Sequence, residues 1–248
     1  MKKLIILSVC GLLFACKGKD GADGLGALTG TGVGTVYIHN EYGIQLPYHK
    51  GVNVRVDGSN LPLSAVTDSS GHFTIKELET GTYDFILSKP GYGNTKIQGI
   101  TFLGGARTAQ LGVGDIYQTS TVVPSSFTLD TIGGVVNVNG SANFDQDTAN
   151  APMYVMVFIG KDVKVSASNY LFAVKANITG AAGNTSGNFQ CTIPSSSFKQ
   201  YGLKGKSTAY MAVYGGDDFS YTDLNTNKKV YVGLNPSFKA NQIVLPNF

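Results

Sequence analysis

Apolar and polar residues alternate with a period of two along most of this chain, and glycine, asparagine or aspartate interrupts each run. Val36 and Ile38 alternate with polar neighbours, as do Val52, Val54 and Val56, then Phe73 and Ile75. Tyr83, Phe85 and Leu87 continue the series. Side chains on a strand point to opposite faces in turn, so this pattern predicts half-buried strands and excludes amphipathic helices. Asp57-Gly58, Ser70-Gly71, Thr80-Gly81 and Pro90-Gly91 mark turns. With Ile97, Ile100, Phe102 and the run 106–113, the segment 33–117 reads as about seven strands, the size of a small sandwich.

The remainder repeats the theme. Strands are expected at 126–131, 135–142, 153–159, 171–178, 187–193, 208–214, 229–232 and 241–245, with one helical turn at 195–201 stopped by Gly202. The expected fold class is all-β, two β-sandwiches in tandem, the second (118–248) immunoglobulin- or fibronectin-like in outline. Charged residues make up only 14% of the chain, in keeping with a β-rich extracytoplasmic protein.

The N-terminus reads as an address. Lys2 and Lys3 precede an apolar run from Leu4 to Ala15 that is too short to span a bilayer as a helix. It ends in Leu13-Phe14-Ala15-Cys16, which resembles the lipobox of bacterial lipoproteins, although Phe14 is an unusual member. The resemblance implies a signal peptide over 1–15 and acylation of Cys16, and hence a membrane partner through that lipid. Cys10 is the competing position, but Val9 before it is not small. Residues 17–32 are glycine-rich and read as a tether reaching roughly 20–25 Å. Lys17 stands where an aspartate would signal inner-membrane retention, so by the family rule the expected location is the outer membrane. Cys191 is then left without a disulfide partner and falls on the apolar side of its strand.

Between residues 33 and 117 a second resemblance appears. Gly34-Thr35-Val36, Gly51-Val52-Asn53-Val54, the stretch Val66-Thr67-Asp68-Ser69-Ser70-Gly71-His72-Phe73, then Gly81-Thr82-Tyr83 and Lys89-Pro90-Gly91-Tyr92 stand in order. The segment resembles the carboxypeptidase regulatory-like family, which implies a transthyretin-like sandwich and an accessory, non-catalytic role. In its Thr-Asp-x-x-Gly-x-Phe signature, Asp68 is placed to bond the turn backbone, Gly71 to take a positive φ, and Phe73 to enter the core.

Catalytic devices are scarce. The only histidines are His39, His49 and His72, and none begins a zinc-binding pair. Residues 118–248 have no histidine, which removes a Ser-His-Asp or Cys-His device there. Gly205-Lys206-Ser207 mimics the end of a phosphate loop without its first glycine, and Asp145 and Asp147 lack the rest of a calcium loop. No catalytic residue, metal or cofactor is expected. The formal charge of +3 falls to +1 once Lys2 and Lys3 are removed, and no basic stripe supports a nucleic-acid partner.

The stretch 214–223 is the most ligand-like. It combines Tyr214, Asp217, Asp218, Phe219, Tyr221 and Asp223, and loops at the ends of sandwiches often carry binding. Asp130-Thr131-Ile132 and Asp147-Thr148-Ala149 resemble the acceptor pattern of a general O-glycosylation system of Gram-negative anaerobes, which implies glycans on Thr131 and Thr148; Thr148 falls in the more polar loop and Thr131 at a partly covered strand end. The expected function is a non-enzymatic, lipid-anchored binding or adhesion module with an unidentified protein or glycan ligand. The alternative is a structural or assembly component of an envelope or fimbrial complex.

Overall fold

The structure is a computed structural model that describes residues 28–145 and 151–248. It is all-β apart from one short helix, as the alternation requires. Seven strands come first: β1 (Thr29–His39), β2 (Asn53–Asp57), β3 (Ser64–Val66), β4 (His72–Glu79), β5 (Gly81–Ser88), β6 (Thr95–Phe102) and β7 (Gly105–Tyr117). They form two sheets, ordered β4-β1-β7 and β3-β2-β5-β6. β1 lies parallel to β7 and antiparallel to β4. The inward faces close one core, with Val36, Ile38, Phe73 and Ile75 from one sheet against Val54, Val56, Phe85 and Leu87 from the other. Strand β3 was not anticipated, because three residues of burial pattern exposed–intermediate–exposed carry no alternation to read.

The signature turn forms as its residue types dictate. The Asp68 carboxylate accepts the backbone N–H groups of Ser70 and His72 at 2.9 and 3.0 Å. Gly71 takes φ +86°, and a Cβ there would meet the Val36 carbonyl oxygen at 2.2 Å. Phe73 is buried.

The remaining strands are β8 (Val123–Ile132), β9 (Val135–Asn143), β10 (Tyr154–Gly160), β11 (Phe172–Thr179), β12 (Ser186–Pro194), β13 (Thr208–Gly215), β14 (Ser220–Asp223), β15 (Lys228–Tyr231) and β16 (Phe238–Val244), with α1 (Ser195–Gln200) after β12. Seven of them form a sheet ordered β16-β13-β10-β11-β12-β9-β8. β11 and β12 pair only at Ile178–Phe189 and Thr179–Asn188, so the sheet folds there. The two halves then face each other, and edge strands β8 and β16 lie side by side. Val155, Val157, Met211 and Val213 meet Phe127, Val138, Phe189 and Ile193 in the core between them. The helical turn at 195 caps this core with Phe198, and Gly202 ends it at φ +72°.

Two expectations change. Residues 29–32, read as the end of the tether, belong to β1 and pair with β4. The stretch 214–223 is not a free loop: it runs from the end of β13 into β14, which pairs with β15 as a separate hairpin. Its sequence hides the strand, because Gly215-Gly216-Asp217-Asp218 reads as a turn and β14 is only four residues long.

The two sandwiches interlock around Thr119–Val122. Ser120 N–H donates to the Gly233 carbonyl at 2.7 Å, and Asn235 Nδ2 donates to the Ser120 carbonyl at 2.8 Å. Thr121 N–H donates to Glu41 Oε2 at 2.6 Å, while Tyr42 packs against the second core. Backbones touch where a Cβ on Gly93 would stand 2.3 Å from the Gly233 nitrogen.

Gly93 has no positive φ, so Gly93→Ala tests close approach alone. It is expected to cost about 1–3 kcal/mol, the usual scale for overpacking. Denaturant unfolding measures this, and unchanged stability would mean that the domain contact does not contribute. A second prediction concerns His49, a buried ring whose Nδ1 accepts the Ile38 N–H at 3.0 Å. Burial, with His39 nearby, lowers its pKa below the ordinary 6.5. A histidine held neutral contributes stability that is complete above pH 6.5 and lost as pH falls below it. His49→Gln, which cannot protonate, is expected to flatten the fall in melting temperature from pH 7 to 5 relative to the unsubstituted protein.

Candidate functional site

Chain segments that sequence reasoning singled out go to several places. Cys16, Asp147 and Thr148 lie outside the described residues. Thr131 stands exposed near the end of β8, not partly covered, because the last residues of the strand, Asp130 to Ile132, face water. Asp130 beside it accepts a bond from Asn137 Nδ2 at 2.9 Å across the ladder. Cys191 packs partly buried against the second core, and burial pushes its thiol up to about 11, an inert setting for a thiol. Among the described residues no group of three or more His, Cys, Asp or Glu is placed to hold a metal ion.

The six residues of 214–223 do not converge on one cavity. Lys175 reaches from β11 to Asp217 Oδ1 at 2.6 Å and Asp218 Oδ1 at 2.9 Å, with its ammonium 4.0 Å from the Tyr154 ring centroid. Burial and the adjoining Asp218 carboxyl push the Asp217 pKa up. The bond with Asp217, then Lys175, holds Asp218 down. Burial alone would lower Lys175, but its bonds to the two carboxylates raise it. This cluster pins the start of the hairpin. Phe219 stacks on Tyr117 at 4.2 Å, Tyr117 stacks on His39 at 4.8 Å, and Gly43 leaves room for the edge of Phe219. Tyr221 is half-buried, which raises its pKa. Asp223 caps the turn between β14 and β15, accepting from Asn225 N–H, Thr226 N–H and the Thr226 hydroxyl. Gln98 of β6 donates to the Thr222 carbonyl at 2.8 Å and accepts from Leu224 N–H at 3.0 Å.

The outer face of β10 and β13 is the key to what remains. Met156, Phe158, Ala212 and Tyr214 are buried there, away from the main core. Two covers hide them: the β14–β15 hairpin, through Tyr231, and the 161–171 connection, through Val165 and Tyr170. Phe158 sits at the centre, with Tyr170, Tyr214 and Tyr231 edge-on to it at centroid distances of 5.2, 5.4 and 5.0 Å.

A groove opens along the seam between these covers. One lobe, about 420 Å³, is lined by Tyr170, Tyr214 and Tyr231 with Ser166, Ser168 and Thr226. The other, about 390 Å³, adds Phe172, Tyr201 and Asn227. Both lobes share Tyr170, Tyr231, Lys228 and Lys229. Tyr201 is 40% exposed and stacks on Phe172 at 4.8 Å with an interplanar angle of 20°, so one ring face is backed by the core. The Tyr170 hydroxyl donates to the Lys229 carbonyl at 2.9 Å, and burial raises its pKa to about 12, which keeps it a neutral donor. Neither lobe is lined by Asp or Glu. Of the residues expected from sequence, only Tyr214 reaches this groove. The adjacent Lys228-Lys229 pair was the available signal for it, since nothing in the spacing joins that pair to Tyr170 or Tyr201.

A second depression, about 660 Å³, lies on the opposite half of the sheet. Ser126, Thr128, Asn139, Ser141, Asn188 and Gln190 are among its lining residues, and no charged residue lines it.

Three solved structures illustrate the range of folds similar to this one. A DUF3823 family protein from Bacteroides ovatus is 15% identical, with a TM-score of 0.32 over 88% of this chain and 99% of that one. A candidate carbohydrate-binding protein from Bacteroides uniformis is 13% identical, with a TM-score of 0.31 over 87% and 98%. A type II cohesin–X-dockerin complex from Acetivibrio cellulolyticus contributes a chain 24% identical, with a TM-score of 0.29 over 37% of this chain; the match spans 59% of that chain's length. No curated protein matches this sequence. Residues 48–112 do match the carboxypeptidase regulatory-like domain family, so the resemblance read from the Thr-Asp-x-x-Gly-x-Phe turn holds for that segment.

Proposed function

We propose that this protein is a non-enzymatic, lipid-anchored binding module of the bacterial outer membrane, and that its second domain captures a glycan. The observation that carries the reading is the tyrosine-walled groove of Tyr170, Tyr201 and Tyr231. Ligand sites are concave and combine apolar surface with a few placed polar groups; the lobe at Tyr214 is mostly apolar, and the lobe at Tyr201 is about evenly polar and apolar. Sugars present apolar C–H faces and polar edges. Tyr201 offers a supported ring face for the first, and Ser166, Ser168, Thr226 and Asn227 offer hydroxyls and an amide for the second. The chain has no Trp, so tyrosine has to serve as the flat platform.

The anchor rests on Leu13-Phe14-Ala15-Cys16 and on the glycine-rich stretch that follows. A lipid on Cys16 would hold the first domain near the bilayer, and the interlocked domains would carry the groove outward as one body. Stable anchoring needs more than one acyl chain, which lipoprotein maturation supplies at a single cysteine.

A labelled full chain is expected to bind a restricted set of glycans on an array. Tyr201→Ala is expected to weaken binding about tenfold, the scale of removing an aromatic anchor. The absence of any bound glycan, or an unchanged affinity in Tyr201→Ala, would overturn the groove as the site. For the anchor, cells fed a fatty-acid analogue are expected to label the protein, and Cys16→Ala is expected to lose both label and membrane retention. Equal labelling of the two would refute it.

A further inference from the structure

We infer that the groove selects an anionic glycan, one bearing carboxylate or sulfate groups on its sugars. This inference rests on the reading of the groove as a glycan site and goes further by fixing the charge of the ligand. Two cations, Lys228 and Lys229, line both lobes, and no carboxylate lines either. The nearest carboxylates form no ion pair with them. Asp217 and Asp218 hold Lys175, and Asp223, opposite Lys228 in the hairpin, gives one oxygen to its own turn and lines neither lobe. Among the described residues neither Lys228 nor Lys229 forms an ion pair. Both side chains are exposed.

A groove with neutral donors and two exposed lysines at its rim, Lys229 on the strand face of Tyr231 and Lys228 on the other, is complementary to negative charge. Tyr170 strengthens this. It stays a neutral phenol, so it adds no opposing charge, and its bond to the Lys229 carbonyl fixes the backbone from which the lysine side chains extend. The occupant has to match both the aromatic and the cationic elements, and an acidic sugar chain does so in each residue: an apolar ring face for Tyr201 and an anionic substituent for a lysine. A nucleic acid would be served by a longer basic track than two lysines in a chain whose net charge is only +3. An acidic peptide offers no repeated flat face for Tyr201.

Calorimetric titration of the detergent-solubilised full chain tests this with paired probes. One pair is oligogalacturonate and its methyl ester; the other is a heparin oligosaccharide and its desulfated, N-acetylated, carboxyl-reduced form. Binding of at least one acidic probe is expected, weakened at least about tenfold in its neutral partner. Lys228→Gln/Lys229→Gln is expected to reduce acidic binding by a similar factor, with a shallower salt dependence. Tyr201→Ala is expected to weaken acidic and neutral probes alike.

Equal affinity for an acidic probe and its neutral partner, with no effect of the lysine substitutions, would overturn the inference and leave the glycan site standing. Binding only to other, uncharged glycans would do the same. Lysine-dependent capture of poly-glutamate or oligo-deoxythymidine, without binding of either acidic glycan, would overturn the inference and the glycan reading together. Circular dichroism of each variant separates lost binding from lost folding. A second lysine variant, Lys228→Arg/Lys229→Arg, keeps the charge and is expected to keep the preference for acidic probes.

Discussion

The outer face of β10 and β13 cannot be left to water. Burial of Met156, Phe158, Ala212 and Tyr214 removes side chains each of which, when large and apolar, is worth about 1.5–3 kcal/mol once fully covered. A sandwich normally needs only its inner faces hidden, and its outer faces are polar. Here β10 is buried on both sides along almost its whole length. The hairpin β14–β15 and the 161–171 connection exist, in physical terms, to cover that second face. The groove lies where these two covers meet without closing.

The hairpin has little stability of its own, since a two-stranded ribbon is marginal in water. It is held at three places. Asp217 and Asp218 fasten its approach to Lys175, Tyr231 seals against Phe158, and Phe219 continues the stack of His39 and Tyr117 across the domain boundary. Gln98 adds two backbone bonds from the first domain to the turn. The segment that matches the carboxypeptidase regulatory-like family thus braces the hairpin.

Alternation made most strands legible, because one wet face and one dry face write a period of two into the sequence. The Asp68 turn was legible for a different reason: an acceptor, a positive-φ glycine and a core aromatic must stand in that order. The short strands β3 and β14 were not, since three or four residues with no consistently buried side give no pattern. The stretch 214–223 drew attention for its acids and aromatics, yet those residue types serve intramolecular bonds as readily as a ligand. Tyr170, Tyr201 and Tyr231 belong to three separate segments, and only the folding of two covers over Phe158 brings them together.

Tyrosine suits this seam because one side chain meets two demands. Its ring replaces water over Phe158, and its hydroxyl reaches the polar rim. A phenylalanine at position 170 would cover the core as well but would leave the Lys229 carbonyl without its partner. The contact that stabilises the cover is therefore also the one that sets where the paired lysines begin. On the proposed reading of the groove, stability and recognition are coupled at this point: loosening the cover would blur the groove, and a ligand held between Tyr201 and the lysines would in turn tighten the hairpin against β10, since whatever binds the ordered form favours it.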